Sequence, residues 1–81
     1  MPYRPDVLDQ LATHGVRPLP STPPAVVYQY VYALYRYEIR RLRARLLKGG
    51  LPRSDYAGQV TELRRRYPVL SLPIALWTEP D

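Results

Sequence analysis

Between Pro23-Pro24 and the pair Gly49-Gly50 runs an unbroken stretch without a helix breaker, AVVYQYVYALYRYEIRRLRARLLK, from Ala25 to Lys48. Both of its ends are marked. Thr22 or Ser21 offers a capping oxygen, and the two prolines occupy first-turn positions where a missing N–H costs nothing. Gly49, Gly50 and Pro52 stop the helix. At 1.5 Å per residue it would be about 36 Å long, as long as a small domain is wide. Everything else in the chain must therefore be laid along it.

The faces of this helix are unlike. Tyr28, Tyr32, Tyr35, Ile39, Leu42 and Leu46 recur at spacings of four and three, so they form one stripe, read here as the core seam. In the second half the rest of the surface is basic, with Arg36, Arg40 and Arg43 on one side of the stripe and Arg41 and Arg45 towards the other. In the first half the opposite face carries Val26, Tyr30, Ala33 and Tyr37. A helix apolar all round has to be covered all round.

The flanking segments supply limited cover. Residues 1–5 read as an extended arm. Residues 6–14 read as a short helix with Asp6 and Asp9 near its positive end, closed by a left-handed Gly15, with Val16 folding back on Leu11 or Ala12. A helix that short is unstable alone and must dock on the long one. Residues 16–24, VRPLPSTPP, read as a stiff connector of polyproline type. Ser54 is placed to cap a helix over 54–66, whose Tyr56, Val60, Leu63 and Tyr67 should zip against the long helix as an antiparallel hairpin. Ala57 and Gly58 would permit close approach of the two backbones, and Glu62 can reach Arg65 or Arg66. The tail 68–81 holds Val69, Leu70, Leu72, Ile74, Leu76 and Trp77, too apolar to hang free. Pro73 disfavours a central strand, so the tail is expected as an extended or single-turn segment anchored by Trp77. The expected fold is all-α: a small helical hairpin with a short N-terminal helix, a Pro-rich connector and an apolar tail, in one small domain over 1–81.

Composition narrows the function classes. Eighty-one residues form a small core at best, and without cysteine no disulfide or zinc-thiolate site can reinforce it. The single histidine, His14, sits at a helix end and is read as a helix terminator. The carboxylates are scattered and the Gly pair follows a helix, the reverse of a phosphate-cradling loop. Hence no enzyme, no cofactor and no metal site are expected. No stretch has the length of a membrane span or the form of a signal peptide, so a cytoplasmic protein is expected.

Of the net charge of +5, residues 36–66 carry +7 and the remainder −2. Arg36, Arg40, Arg41, Arg43 and Arg45, joined by Arg64, Arg65 and Arg66, form a candidate anion-binding ridge suited to nucleic-acid phosphates or another anionic surface. A solvated face is the competing reading, since a GC-rich coding sequence also favours arginine over lysine. The tyrosines point to a protein partner. Val26, Tyr30, Ala33, Tyr37 and Trp77 are the candidate partner-binding residues, because tyrosine combines a large rigid surface with a hydroxyl that stays wet. The function expected is a non-catalytic interaction module, an accessory subunit or adaptor that docks on a larger protein or on a second copy of itself. The alternative is a basic nucleic-acid-binding module.

Two short motifs carry further expectations. Arg17, Leu19, Pro20 and Pro23 fit the R-x-L-P-x-x-P pattern of SH3 ligands, which requires an accessible polyproline helix. Leu34-Tyr35-Arg36 followed by Ile39-Arg40 resembles the L-Y-R-x-x-L-R signature of the LYR-motif proteins, small basic helical adaptors of mitochondrial iron–sulfur and respiratory assembly. The resemblance covers seven residues. It implies an adaptor role but carries over no residue roles, since a Pro-rich segment precedes the motif and the chain has no Phe.

Overall fold

Proline and glycine punctuation divides the chain into three helices: α1 (Pro5–Ala12), α2 (Pro24–Leu47) and α3 (Arg53–Arg65). The structure, a computed structural model, describes residues 2–80; Met1 and Asp81, the outermost residues of the expected arm and tail, lie outside the described residues. No strand is present among the described residues, and the all-α hairpin expected from the sequence is the fold observed.

Each helix begins at a proline-directed turn and lacks a side-chain cap. The residues at the three N-caps are Arg4, Pro23 and Pro52, all extended, and none donates or accepts a capping bond through its side chain. The capping roles expected of Thr22 or Ser21 and of Ser54 are therefore corrected. Thr22 instead closes the turn before α2: its Oγ1 accepts from the Leu19 amide at 3.1 Å, and its own amide donates to the Leu19 carbonyl at 2.9 Å. That turn interrupts the connector. A polyproline helix has no internal hydrogen bonds, so although Leu19 is 66% exposed, the segment does not present a continuous SH3-type ligand.

The helix ends follow the expected glycine chemistry. Gly15 and Gly49 both have left-handed φ, +74° and +79°. At the end of α2 the Gly49 amide donates to the Leu46 carbonyl and the Gly50 amide to the Arg45 carbonyl. At the end of α1 the Gly15 amide meets Ala12, and the Val16 amide meets Leu11. Both are Schellman closures that satisfy the orphan carbonyls of a last turn.

α3 returns along α2. Tyr67, just past its end, meets Tyr35 edge-on at 5.4 Å, and Leu63 and Tyr67 are buried while Tyr56 and Val60 are half-buried. The close approach expected at Ala57 and Gly58 does not occur: Ala57 is exposed, and a Cβ added at Gly58 would meet nothing within 4 Å. Glu62 pairs with Arg65 at 2.9 Å.

The tail makes two 3-10 turns, Pro68–Ser71 and Ile74–Leu76, and seats Trp77 at 0% exposure. The Trp77 indole N–H donates to the Leu72 carbonyl at 3.0 Å, so the buried ring leaves no polar atom unpaired. The N-terminal arm lies beside it. Tyr3 and Thr78 form an antiparallel bridge, the Arg4 amide donates to the Trp77 carbonyl, and the Glu79 amide donates to the Pro2 carbonyl. Tyr3 itself is buried, its hydroxyl donating to the Thr22 carbonyl.

The core joins Tyr3, Val7, Leu11, Val27, Val31, Leu63, Tyr67, Val69 and Trp77. On α2 the deepest residues are thus Val27 and Val31, where the sequence pattern had placed Tyr28 and Tyr32. Tyr28 is only half-buried, tilted over Trp77 at 5.8 Å, and Tyr32 is 44% exposed. The physical reason is the hydroxyl. With both faces apolar, the valines go inside and the tyrosines sit at the margin, where their O–H groups reach water. Further along, Tyr35, Ile39, Leu42 and Leu46 are half-buried beneath α3, as the stripe requires. The molecule measures 50 × 17 × 16 Å, with a radius of gyration of 15.0 Å. A compact chain of this length would have about 12 Å. The hairpin projects from a small head made by the arm, α1, the start of α2 and the tail.

Candidate interaction surface

The face of α2 turned away from the head core is bare. Val26 is 56% exposed, Tyr30 58% and Tyr37 60%, and Ala33 between them is exposed as well. The tail and arm cover Val27 and Val31 on the other side of the helix and reach no further round. Trp77, grouped with these residues from the sequence, is fully buried in the head and unavailable to a partner. It anchors the tail, the other role the sequence offered it.

The arginines do not form a single ridge. Because α3 packs along α2, it separates them into two open grooves. One, of about 490 Å³, has Arg36, Arg40, Arg43 and Arg64 at its rim and Tyr32, Tyr35 and Tyr56 in its walls, with no carboxylate among its lining residues. The other, of about 660 Å³, takes Arg41, Arg65 and Arg66 together with Tyr37, Glu38 and His14. Arg45 lines a small recess with Gln59 and Leu63 that adjoins the larger groove, sharing Glu38, Arg41 and Arg66 with it. Two guanidinium groups rest on aromatic faces, Arg36 over Tyr32 and Arg41 over Tyr37, each 5.9 Å from the ring centre. Such contacts fix the orientation of the side chains without neutralising them.

At the floor of the larger groove lies a cluster that sequence reading missed. The His14 ring stacks on Tyr67 at 4.0 Å and 9°, and its Nε2 lies 2.5 Å from the Arg66 carbonyl at the end of α3. A carbonyl oxygen only accepts, so Nε2 carries the proton. The Tyr67 hydroxyl donates to Glu38. Burial first, and then the Glu38 carboxylate, push the Tyr67 phenol well above its ordinary pKa of 10.0. These contacts tie the turn after α1 to α2 and to the end of α3 where the head meets the hairpin. Its one local signal in the sequence is that Glu38 interrupts a run of apolar and basic residues.

No buried side-chain nitrogen or oxygen among the described residues lacks a partner, and no group of three or more His, Asp or Glu gathers there. No helix is long and apolar enough to cross a membrane among the described residues. Comparison with known protein families, with curated proteins and with solved structures finds no match to the chain.

Proposed function

We propose that the chain is a non-catalytic interaction module, an accessory subunit or adaptor that docks through Val26, Tyr30, Ala33 and Tyr37. The observation that carries this reading is the exposure of those residues on a helix whose other face is already sealed. Large aromatic side chains aligned on a rigid helix are suited to anchoring in a partner's pockets, because little rotamer entropy is lost on binding. Size-exclusion chromatography with light scattering and a pull-down from the native host test it. Wild-type protein is expected to associate, and Tyr30→Ser/Tyr37→Ser to lose the association while its unfolding free energy stays within about 0.5 kcal/mol of wild type. A wild-type chain that stays monomeric and retains nothing sinks the reading.

A second reading has its own support in the groove bounded by Arg36, Arg40, Arg43 and Arg64. Guanidinium groups without carboxylates, alternating with tyrosine faces, suit the phosphates and bases of a single strand. It predicts nucleic-acid affinity that falls steeply with salt, and no binding in dilute buffer removes it.

A further inference from the structure

The bare face of α2 continues beyond Tyr37. The same alternation of four and three runs through Arg40 and Ala44 to Leu47; all three are exposed, Leu47 at 76%. Sustained along a 24-residue helix, that spacing is the seam of a coiled coil, in which each residue packs between residues of a facing helix. α3 packs on the side carrying Ile39 and Leu42, so Arg40 and Tyr37 border its two grooves at the seam's edges but stay exposed.

The order of side chains along the seam selects the occupant. If α2 is laid antiparallel on a second α2, with their midpoints at Tyr35, Val26 faces Ala44, Tyr30 faces Arg40 and Ala33 faces Tyr37, and each pairing recurs on the other side of the midpoint. Between Val26 and Ala44 every pairing sets a larger side chain against alanine, or a guanidinium against an aromatic ring. That last contact already occurs twice within the chain. Leu47 falls opposite Pro23 at the N-cap of the second copy. In a parallel pair Arg40 would meet Arg40, and Ala33 would meet Ala33 across a void. Only a second copy requires the first half of the seam to complement the second half. We propose that the occupant of this face is a second copy of the chain, paired antiparallel along α2. The inference rests on the docking reading above and names the partner.

Charge sets the conditions. Each chain carries +5, and Arg36, which borders the seam near its midpoint, approaches its own counterpart. Self-pairing therefore tightens as salt screens this repulsion, the opposite of polyanion binding in the arginine groove.

The chain has no cysteine, so single introduced cysteines report the geometry directly. Val26→Cys and Ala44→Cys proteins are mixed in equal amounts, oxidised mildly and separated by mass. In parallel, sedimentation equilibrium follows the wild-type mass from about 50 mM to about 500 mM salt. The expected result is a 26–44 cross-link severalfold in excess of 26–26 and 44–44, and a mass that rises with salt towards twice 9.4 kDa. Tyr30→Glu places a carboxylate against Arg40 of the second copy and retains pairing, whereas Tyr37→Glu places one against Ala33 and abolishes it. Cross-links dominated by 26–26 and 44–44 overturn the antiparallel arrangement and leave the docking reading standing. A monomer at every salt concentration overturns the second copy; the docking reading then survives only if a host protein is retained by wild type and lost from Tyr30→Ser/Tyr37→Ser.

Discussion

The two halves of α2 are secured by different means. The first half is sealed by residues far away in sequence: Tyr3 from the arm, Val7 and Leu11 from α1, and Val69 and Trp77 from the tail close over Val27 and Val31. The second half has α3 alone. Ile39, Leu42 and Leu46 stay half-buried there, and Leu51 is buried at the far end of the hairpin, outside the main cluster. In so short a chain the head therefore holds most of the net stability, and the hairpin depends on being attached to it.

The largest expected effect breaks the head. Trp77→Ala removes the biggest fully buried side chain and should cost about 3–5 kcal/mol, most of what such a domain possesses. Urea denaturation should show a collapse of the midpoint, and hydrogen exchange should show protection lost in α1 and the first half of α2. A loss below about 1 kcal/mol would mean that the halves are not held differently.

A smaller effect lies at the junction between the halves. Tyr67→Phe removes the donor to Glu38 and should cost about 1.5–3 kcal/mol, the range for a hydrogen bond to a charged group. It also tests a pH dependence. The folded-state pKa of Tyr67 is raised above its unfolded value of 10.0, so deprotonation favours unfolding. The contribution is complete below pH 10.0 and is lost as pH rises from there towards the folded pKa. Wild-type midpoints should fall as pH rises from about 10 to about 12, less steeply in Tyr67→Phe. Burial raises the Tyr3 phenol as well, so the slope should shrink without vanishing.

The smallest effect sharpens the comparison at the hairpin tip. Gly49→Ala introduces a side chain at φ +79°, where a Cβ meets no neighbour but the backbone is disfavoured. The expected cost is about 1 kcal/mol. Exchange should quicken at the end of α2 and the start of α3, and the head should stay protected.

Helix number, type and stops were legible in the chain because prolines and glycines write them locally. Trp77 as the tail's anchor was legible too, since no other residue there could bury as much surface. The core face of the first half of α2 was not. Where Val26, Val27, Tyr30, Val31 and Tyr32 surround one helix, periodicity offers several equivalent stripes, and the choice falls to segments that arrive from elsewhere. Tyr3 is the clearest case: nothing within the arm signals that it is buried, since it is bridged to a tail more than seventy residues downstream and its hydroxyl is bound to Thr22 in the turn before α2. The arginines were legible in part. Spacing already puts Arg36, Arg40 and Arg43 on one side of the stripe and Arg41 towards the other, but where α3 lies decides that Arg64 joins the first set and Arg65 and Arg66 the second. The bare positions Val26, Tyr30 and Tyr37 were identified from the sequence because they lie opposite any face the short flanks could reach.

The bridge between Tyr3 and Thr78 imposes an order of assembly. Contacts within the hairpin join neighbouring stretches and cost little chain entropy to close, whereas the head must wait for the two extremities to find each other. Until that late closure, Val27 and Val31 stand in water beside Tyr30, and a greasy collar encircles the upper part of the longest rod. A nascent or refolding chain is therefore at its stickiest just before completion, and whatever speeds the final latching also protects it from clumping.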